Sequence, residues 1–416
     1  MKLAIYHPWI YLHGGLERTL LQLVRRSRHE WTVYTGYYNP RTTFPDFANV
    51  DVRTLRPTSV NRALGSVLSS ALQVLLQKIP LRQDVDALVV CCDGIGDLIT
   101  FRNNFIPVFN LCFTPLRAAF DPIYEKKALS ARGPLERILY HALKYSFRAV
   151  DRYAWRNYRN VIAISEEVKN RVVAGRLAEA RRIAVAYPGI DWRPALQNVE
   201  YEPFVLMAGR IMWTKNIELA IRAFLGADAP APWKLVIAGF VDKKSQIYLN
   251  TLREVANGSD RIEFILSPSD DVIFDLFRRT SFCLFTPLNE DWGIAPLEAM
   301  AHGKPVIAMN SGGPRESIVD GRSGHLLPPV VSDWSSAIIK LIRSPDMVQS
   351  LGRHAHGAVK QFTWDRFIGQ VDDWIERWVL ADRVTGADRD VGIGIPIPDW
   401  PAELHSARNA DGGVEQ

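Results

Sequence analysis

The chain has 416 residues, too many for one ordinary core, which suggests two domains of about 150–200 residues each. An apolar content of 47% and a charged content of 23% are those of a globular protein and exclude a disordered or fibrous chain. The net charge of +5 suits an anionic nucleotide sugar or an anionic membrane surface and does not by itself indicate nucleic acid.

Short apolar runs alternate with longer helical patterns, the mark of parallel α/β domains. The first strand is expected at residues 3–6, with no secretory signal peptide ahead of it. His13-Gly14-Gly15-Leu16-Glu17-Arg18 follows and opens a helix. Glycines there let backbone approach a ligand phosphate, and the helix N-terminus favours negative charge. The full Gly-x-Gly-x-x-Gly spacing of a dinucleotide fold is absent. Residues 59–79 carry apolar side chains at helical spacing, read as a core-facing stripe with membrane contact as the alternative. Further strands are expected at 31–35, 87–91, 107–111 and 161–164. Between the last two, residues 137–159 set Arg137, Lys144, Arg148, Arg152, Arg156 and Arg159 near one broad helical face, with Tyr140, Tyr145, Phe147, Tyr153 and Trp155 interleaved. Such a helix docks on anionic headgroups or forms a solvated charged face. Cys91, Cys92, Cys112 and Cys283 lie in apolar runs without Cys-x-x-Cys spacing, which fits a reducing cytoplasm and no metal or redox role.

Residues 187–194 (Tyr-Pro-Gly-Ile-Asp-Trp-Arg-Pro) are rich in turn formers and read as a hinge within a linker at 187–200. It divides an N-terminal domain, 1–186, from a C-terminal domain, 201–363. Strands of the second domain are expected at 204–208, 234–238, 262–264, 282–285, 305–308 and 325–327. Gly209-Arg210 ends the first of them, and Lys215-Asn216 opens the next helix. Two cations at the C-terminal edge of a sheet hold a diphosphate leaving group well. Ligands of doubly wound sheets bind beyond that edge. A helix over 364–380 follows, packing back on the N-terminal domain, then a tail at 381–416 without periodicity. Asp84-Val-Asp86 and Asp388–Asp390 are misplaced for a metal–diphosphate site, so no metal and no cofactor are expected.

The most informative stretch runs from Asn289 to Glu316. It places Glu290 and Glu298 about a strand-to-helix junction, with Pro296 suited to the first helical position and Glu298 in the first turn. A capping box would need Ser or Thr three residues before Glu298, and that position is Ala295. Gly312-Gly313 and a second helix start at Pro314-Arg315-Glu316 come next, so two helix N-termini are expected to face one crevice.

Glu290, Glu298, Ala299-Met300-Ala301 and Gly312-Gly313 together resemble the signature of glycosyltransferase family 4. The resemblance implies an α/β GT-B fold: two Rossmann-like, doubly wound parallel-sheet domains facing across a cleft. It also implies a retaining, metal-independent hexosyltransferase. On the matching positions, Arg210 and Lys215 would hold the donor diphosphate, Glu298 the ribose, and Glu290 the transferred sugar. Gly14 and Gly15 would approach the phosphate and sugar, and the backbone of Gly293 and Ile294 would meet the sugar. Ile265 would lie at the base edge. Cys112-Phe113-Thr114-Pro115-Leu116-Arg117, then Asp121, resembles the mannosyltransferase-like branch, in which the Phe113 position is His. Arg117 and Asp121 are acceptor-side candidates or a structural ion pair. The implied donor is GDP-mannose, with a UDP-hexose as the alternative, and the implied acceptor is a glycan or a lipid-linked one. A non-catalytic nucleotide-sugar-binding subunit is the rival that Phe113 suggests. The expected location is the cytoplasm, peripheral on the inner face of the membrane.

Overall fold

The structure is a computed structural model, and it describes residues 1–385 apart from 62–63, 92–93, 131, 195, 197–198 and 243–244. Cys92 and residues 386–416, with Asp388–Asp390, lie outside the described residues.

Seven parallel strands make the first sheet, in spatial order Val52–Thr54, Glu30–Thr35, Lys2–Tyr6, Ala87–Val90, Val108–Cys112, Val161–Ala163 and Ile183–Val185. Six parallel strands make the second: Ile262–Leu266, Lys234–Gly239, Phe204–Ala208, Phe282–Phe285, Val306–Met309 and Gly324–Leu327. In each sheet the first strand sits inside and the chain reverses direction of growth beside it. Each therefore has a switch point where two loops part at the C-terminal edge.

The apolar runs are nearly continuous because both faces of these strands are covered. Along Phe204–Ala208, Phe204 and Leu206 face the core shared with the first domain, whereas Val205 and Met207 face a separate core under the outer helices. Two edge strands, Val52–Thr54 and Ile183–Val185, escape a sequence reading, since three residues give too little alternation to detect.

The final helix is Trp364–Thr385, longer than the expected 364–380, so the first residues assigned to the tail are helical. It lies against the helix Gly15–Arg26 and the strands of the first sheet. Arg28 reaches Asp373 and Glu376 at 2.7 Å each, and the Trp378 ring lies 5.4 Å from Phe109. The chain crossing at 187–194 is well packed rather than loose. Tyr187 lies between Trp292 and Phe362, the Trp292 indole donates to the Pro188 carbonyl at 2.8 Å, and Ile190 bridges to Thr363.

Two helices depart from expectation in which face they bury. In Leu64–Leu76, Val67, Ala71, Val74 and Leu75 meet the core, but Leu64, Leu68, Leu72 and Leu76 face solvent. In Pro134–Trp155 and the turn after it, the cations expected to form an outward basic face are mostly engaged locally. Lys144 pairs with Glu125 at 2.7 Å, Arg148 lies over the Phe120 ring, Arg152 donates to the Gly175 carbonyl, and Arg159 pairs with Asp382. Their long stems fold back along the protein, leaving apolar side chains outward.

Asp151, on the same helix, is fully buried. Burial first, then the nearby Asp97 carboxylate, pushes its carboxyl well above the usual range, against smaller opposing effects of Arg152 and Trp155. The folded chain thus holds a proton that the unfolded chain releases near pH 4. Stability is lost as pH rises from there toward the folded value. Asp151→Asn mimics the protonated acid, so at neutral pH it should raise Tm by about 2–4 °C for each ~1 kcal/mol regained. Thermal melts at pH 7 and pH 4 test this, and the gain should shrink at the lower pH.

Candidate functional site

The C-terminal edges of the two sheets face each other across a cavity of about 390 Å3, within the roughly 300–1,000 Å3 usual for ligand sites. From the first domain it is lined by Gly14, Gly15, Arg18 and Phe113, and from the second by Arg210, Lys215, Glu290, Gly293, Ile294 and Glu298. Seventy-five residues separate Lys215 from Glu290, and their side chains pair at 2.8 Å.

Local backbone explains how the cations are set. Gly209 has φ +149°, and Gly239 packs so closely that a Cβ would fall 1.7 Å from the Gly209 carbonyl oxygen. The chain therefore leaves the central strand sharply and sends Arg210 into the cleft. Lys215 closes a 3-10 turn, Trp213–Lys215, and does not open the following helix, which starts at Ile217. Asn216, at φ +49°, makes the left-handed link, a conformation Asn tolerates well. Thr286 Oγ1 and the Leu288 N–H donate to the carbonyls of Lys215 and Thr214 at 2.8 and 2.9 Å, tying the turn to the loop that carries Glu290.

Glu290 is enclosed, which favours its neutral form. Lys215 outweighs that, with Arg117 and Arg210 assisting, and holds the carboxyl below its ordinary range. The helix after this loop is Ile294–Ala301, capped by Gly293 at φ +93°. Pro296 is thus its third residue and Glu298 its fifth, each two positions later than the sequence suggests. Glu298 accordingly makes no cap with its own helix. It pairs at 2.5 Å with Arg18, from the opposite domain. His13 stacks on Phe44 with ring centroids 3.7 Å apart and stands 3.8 Å from Asp270 across the cleft. Burial lowers the His13 pKa, with Asp270 opposing.

Gly312-Gly313 does a different job from the expected one. A Cβ at Gly312 would lie 2.2 Å from the Glu290 carbonyl oxygen, and one at Gly313 2.2 Å from that of Trp292. The pair lets the Glu290 loop nest against it, and the Gly313 N–H donates to Glu290 O at 2.9 Å. The helix that follows, Pro314–Ser317, has only four residues and does not line the cavity. Its Glu316 instead accepts the N–H groups of Glu166 and Glu167 at 2.9 Å each, satisfying a helix start in the other domain.

Ile265, Arg117 and Asp121 also stand apart from the cavity. Ile265 packs into the core, and Pro268, Asp270 and Ile273 after it line the wall instead. Arg117 pairs with Asp121 at 2.6 Å and donates to the Leu288 and Asn289 carbonyls at 3.2 and 2.9 Å. The pair is a strut that props the Glu290 loop. Asp291 completes the bracing: it accepts from Arg171, and its carbonyl accepts Ser165 Oγ at 2.5 Å.

Arg18, His13, Asp270 and Asp291 carry no local signature of their roles. Arg18 lies 280 positions from its partner, and a helix-start Arg gives no hint of it. Among the described residues no group of three or more His, Cys, Asp or Glu side chains is arranged to hold a metal, and no helix is long and apolar enough to cross a membrane.

Comparison with known proteins agrees with this architecture. Residues 190–357 match the family model described as glycosyl transferases group 1. The chain is 33% identical to the mouse alpha-1,3/1,6-mannosyltransferase ALG2, over 90% of this chain and 97% of that protein. It is 24% identical to the Schizosaccharomyces pombe protein of that name, over 83% of this chain and 74% of that one. Among solved structures it resembles Anabaena HepE in complex with UDP and glucose, with TM-score 0.69 and 17% identity over 91% of this chain and 100% of that one. A sucrose-phosphate synthase from Thermosynechococcus elongatus gives TM-score 0.69 at 17% identity, over 92% of this chain and 100% of that one. At such identities the structures speak for the fold alone, two Rossmann-like domains in the GT-B arrangement.

Proposed function

Because this chain belongs to the group 1 glycosyltransferases, we propose that it transfers mannose from GDP-mannose, with retention of anomeric configuration, to a glycan or lipid-linked acceptor. One observation carries the reading. Two cations, Arg210 and Lys215, and two carboxylates, Glu290 and Glu298, from a strand end, a 3-10 turn, a loop and a helix converge on one interdomain cavity. A nucleoside diphosphate sugar needs that complement: positive charge for the diphosphate, acceptors for ribose and sugar hydroxyls. The mannose assignment is supported by the mannosyltransferases among the relatives. A UDP-hexose donor is the second reading, prompted by the UDP in the HepE complex.

In this scheme Arg210 and Lys215 grip the diphosphate, Glu298 receives the ribose hydroxyls, and Glu290 orients the sugar beside the backbone of Gly293 and Ile294. Gly14 and Gly15 leave room for donor phosphate and sugar against the first helix, and Phe113 forms an apolar wall. As the bond from the anomeric carbon to phosphate oxygen breaks, its electron pair passes to the diphosphate. The acceptor hydroxyl attacks the same face, and its proton passes to the departing phosphate oxygen. Fixed cations in an enclosed site stabilise the charge that develops there.

Arg210 and Lys215 do the work that a divalent ion performs elsewhere, so the reaction is proposed to be metal-independent. Hydrolysis of GDP-mannose by the full chain should continue unchanged in excess EDTA. Activity lost on chelation and restored by magnesium or manganese would overturn that scheme. Faster turnover of UDP-glucose than of GDP-mannose would select the second reading. Peripheral attachment at the membrane where a lipid-linked acceptor lies belongs to the same proposal.

A further inference from the structure

The turn Trp213–Lys215 has three residues and is held from both domains. Its backbone is tied to the second domain, where the Leu288 N–H and Thr286 Oγ1 donate to the Thr214 and Lys215 carbonyls. Its first side chain reaches the other way. The Trp213 ring lies 4.9 Å from that of Tyr124, tilted by 59°, and Lys127 brings Nζ to 5.8 Å from the Trp213 ring centroid. Tyr124 and Lys127 both belong to Pro122–Ser130, a helix of the first domain. Aromatic rings at that separation attract one another, and an ammonium over an indole adds to the hold.

The same helix is locked to the loop that carries Glu290. Asp121 accepts the Ile123 N–H at 2.8 Å, which fixes the start of the helix, and it pairs with Arg117. The Arg117 guanidinium lies 4.5 Å over the Tyr124 ring while donating to the Leu288 and Asn289 carbonyls. One stack, Arg117–Tyr124–Trp213, therefore runs from the backbone beside Glu290 to the turn that ends in Lys215. Tyr124 and Trp213 do not line the cavity, and neither belongs to the core of either domain.

We propose that Tyr124 and Trp213 are positioning residues, through which the first domain holds Lys215 against Glu290 in the second. Two features separate this from plain interdomain packing. A turn of three residues has no slack, so displacing Trp213 displaces Lys215. Arg117 grips the Glu290 loop by its backbone, so the first domain holds both partners of the Lys215–Glu290 pair at once. Closure of the two domains then assembles the pair, and opening loosens it. The consequence for turnover rests on the transferase reading, whereas the hold on Lys215 does not. Negative charge on the leaving diphosphate grows in the transition state. A Lys215 that is present but displaced therefore costs turnover more than it costs donor affinity.

Tyr124→Leu and Trp213→Leu in the full chain test it, with Tyr124→Phe as the variant that keeps the ring. One readout is kcat and KM for hydrolysis of GDP-mannose. The other is the titration of the Glu290 carboxyl, followed by NMR with carbon-13 in the glutamate carboxyls and assigned with Glu290→Gln. Lys215, Arg117 and Arg210 bear on that carboxyl, and the Tyr124 hydroxyl is near enough to feel its charge. Tyr124→Phe therefore separates loss of the hydroxyl from loss of the ring. Both Leu variants should lower kcat by about ten- to a hundredfold with a smaller change in KM. In both, Glu290 should titrate at higher pH than in the parent. Tyr124→Phe should keep most of the rate that Tyr124→Leu loses. Leu variants in which Glu290 titrates as in the parent would overturn the proposal, and so would a Tyr124→Phe as impaired as Tyr124→Leu. A parent that turns over neither GDP-mannose nor UDP-glucose would sink the transferase reading, and the titration would still decide whether the rings hold Lys215.

Discussion

Lys215→Ala should weaken binding of a nucleoside diphosphate by about 1.5–3 kcal/mol, roughly ten- to a hundredfold, the worth of a charge-assisted hydrogen bond in an enclosed site. The substitution also strips Glu290 of its partner at 2.8 Å. In the parent, burial alone would raise the Glu290 carboxyl, and Lys215 reverses that. The favourable contribution of charged Glu290 is present above the ordinary carboxylate range and is lost as pH falls through its depressed folded value. Without Lys215, burial wins and the carboxyl titrates at higher pH. Two results are therefore expected together: weaker nucleotide binding by calorimetry, and an acid limb of the pH–rate profile moved upward. Weaker binding with an unmoved acid limb would mean that Glu290 does not govern that limb.

The second large effect concerns Arg18 and Glu298. Their ion pair spans the cleft and occupies the carboxylate that the ribose is proposed to use. Glu298→Ala should weaken nucleoside and nucleoside diphosphate alike, by about 1.5–3 kcal/mol. Arg18→Gln should separate the two ligands. Freed from its competitor, Glu298 should bind guanosine more tightly. GDP, which can draw the parent's guanidinium onto its phosphates, should gain less or bind more weakly. Calorimetry with guanosine and GDP on each variant reads this directly. Guanosine affinity unchanged in both variants would remove the ribose from Glu298.

The site was legible in the sequence where its chemistry is local, and illegible where it depends on what the other domain brings. Arg210, Lys215 and Glu290 stand at a strand end, a turn and a loop, Glu298 stands in the helix that follows, and the fold gathers these four about the cavity. The helix register was off because Gly293, at φ +93°, starts the helix earlier than Pro296 implies. Gly312-Gly313 resembled a ligand-facing turn, but the nearest atoms are backbone of the Glu290 loop, and sequence offers no view of such close approach. Arg18 had been visible only as part of a glycine loop. Its partner lies in the other half of the chain, and ion pairs at that separation have no periodicity to reveal them. The basic helix misled for a similar reason. Spacing shows which residues share a face, but not that Glu125, Gly175 and Asp382 would draw the cations inward.

The central claim is that the interdomain cavity holds a nucleoside diphosphate sugar against Arg210, Lys215, Glu290 and Glu298. Calorimetric titration of the full chain with GDP-mannose, in parallel with Lys215→Ala and Glu298→Ala, tests it most directly. The account predicts a single site in the parent and a loss of about tenfold or more in each variant. Binding of GDP-mannose with equal affinity by the parent and both variants, or no binding of GDP-mannose or UDP-glucose by the parent, would contradict it.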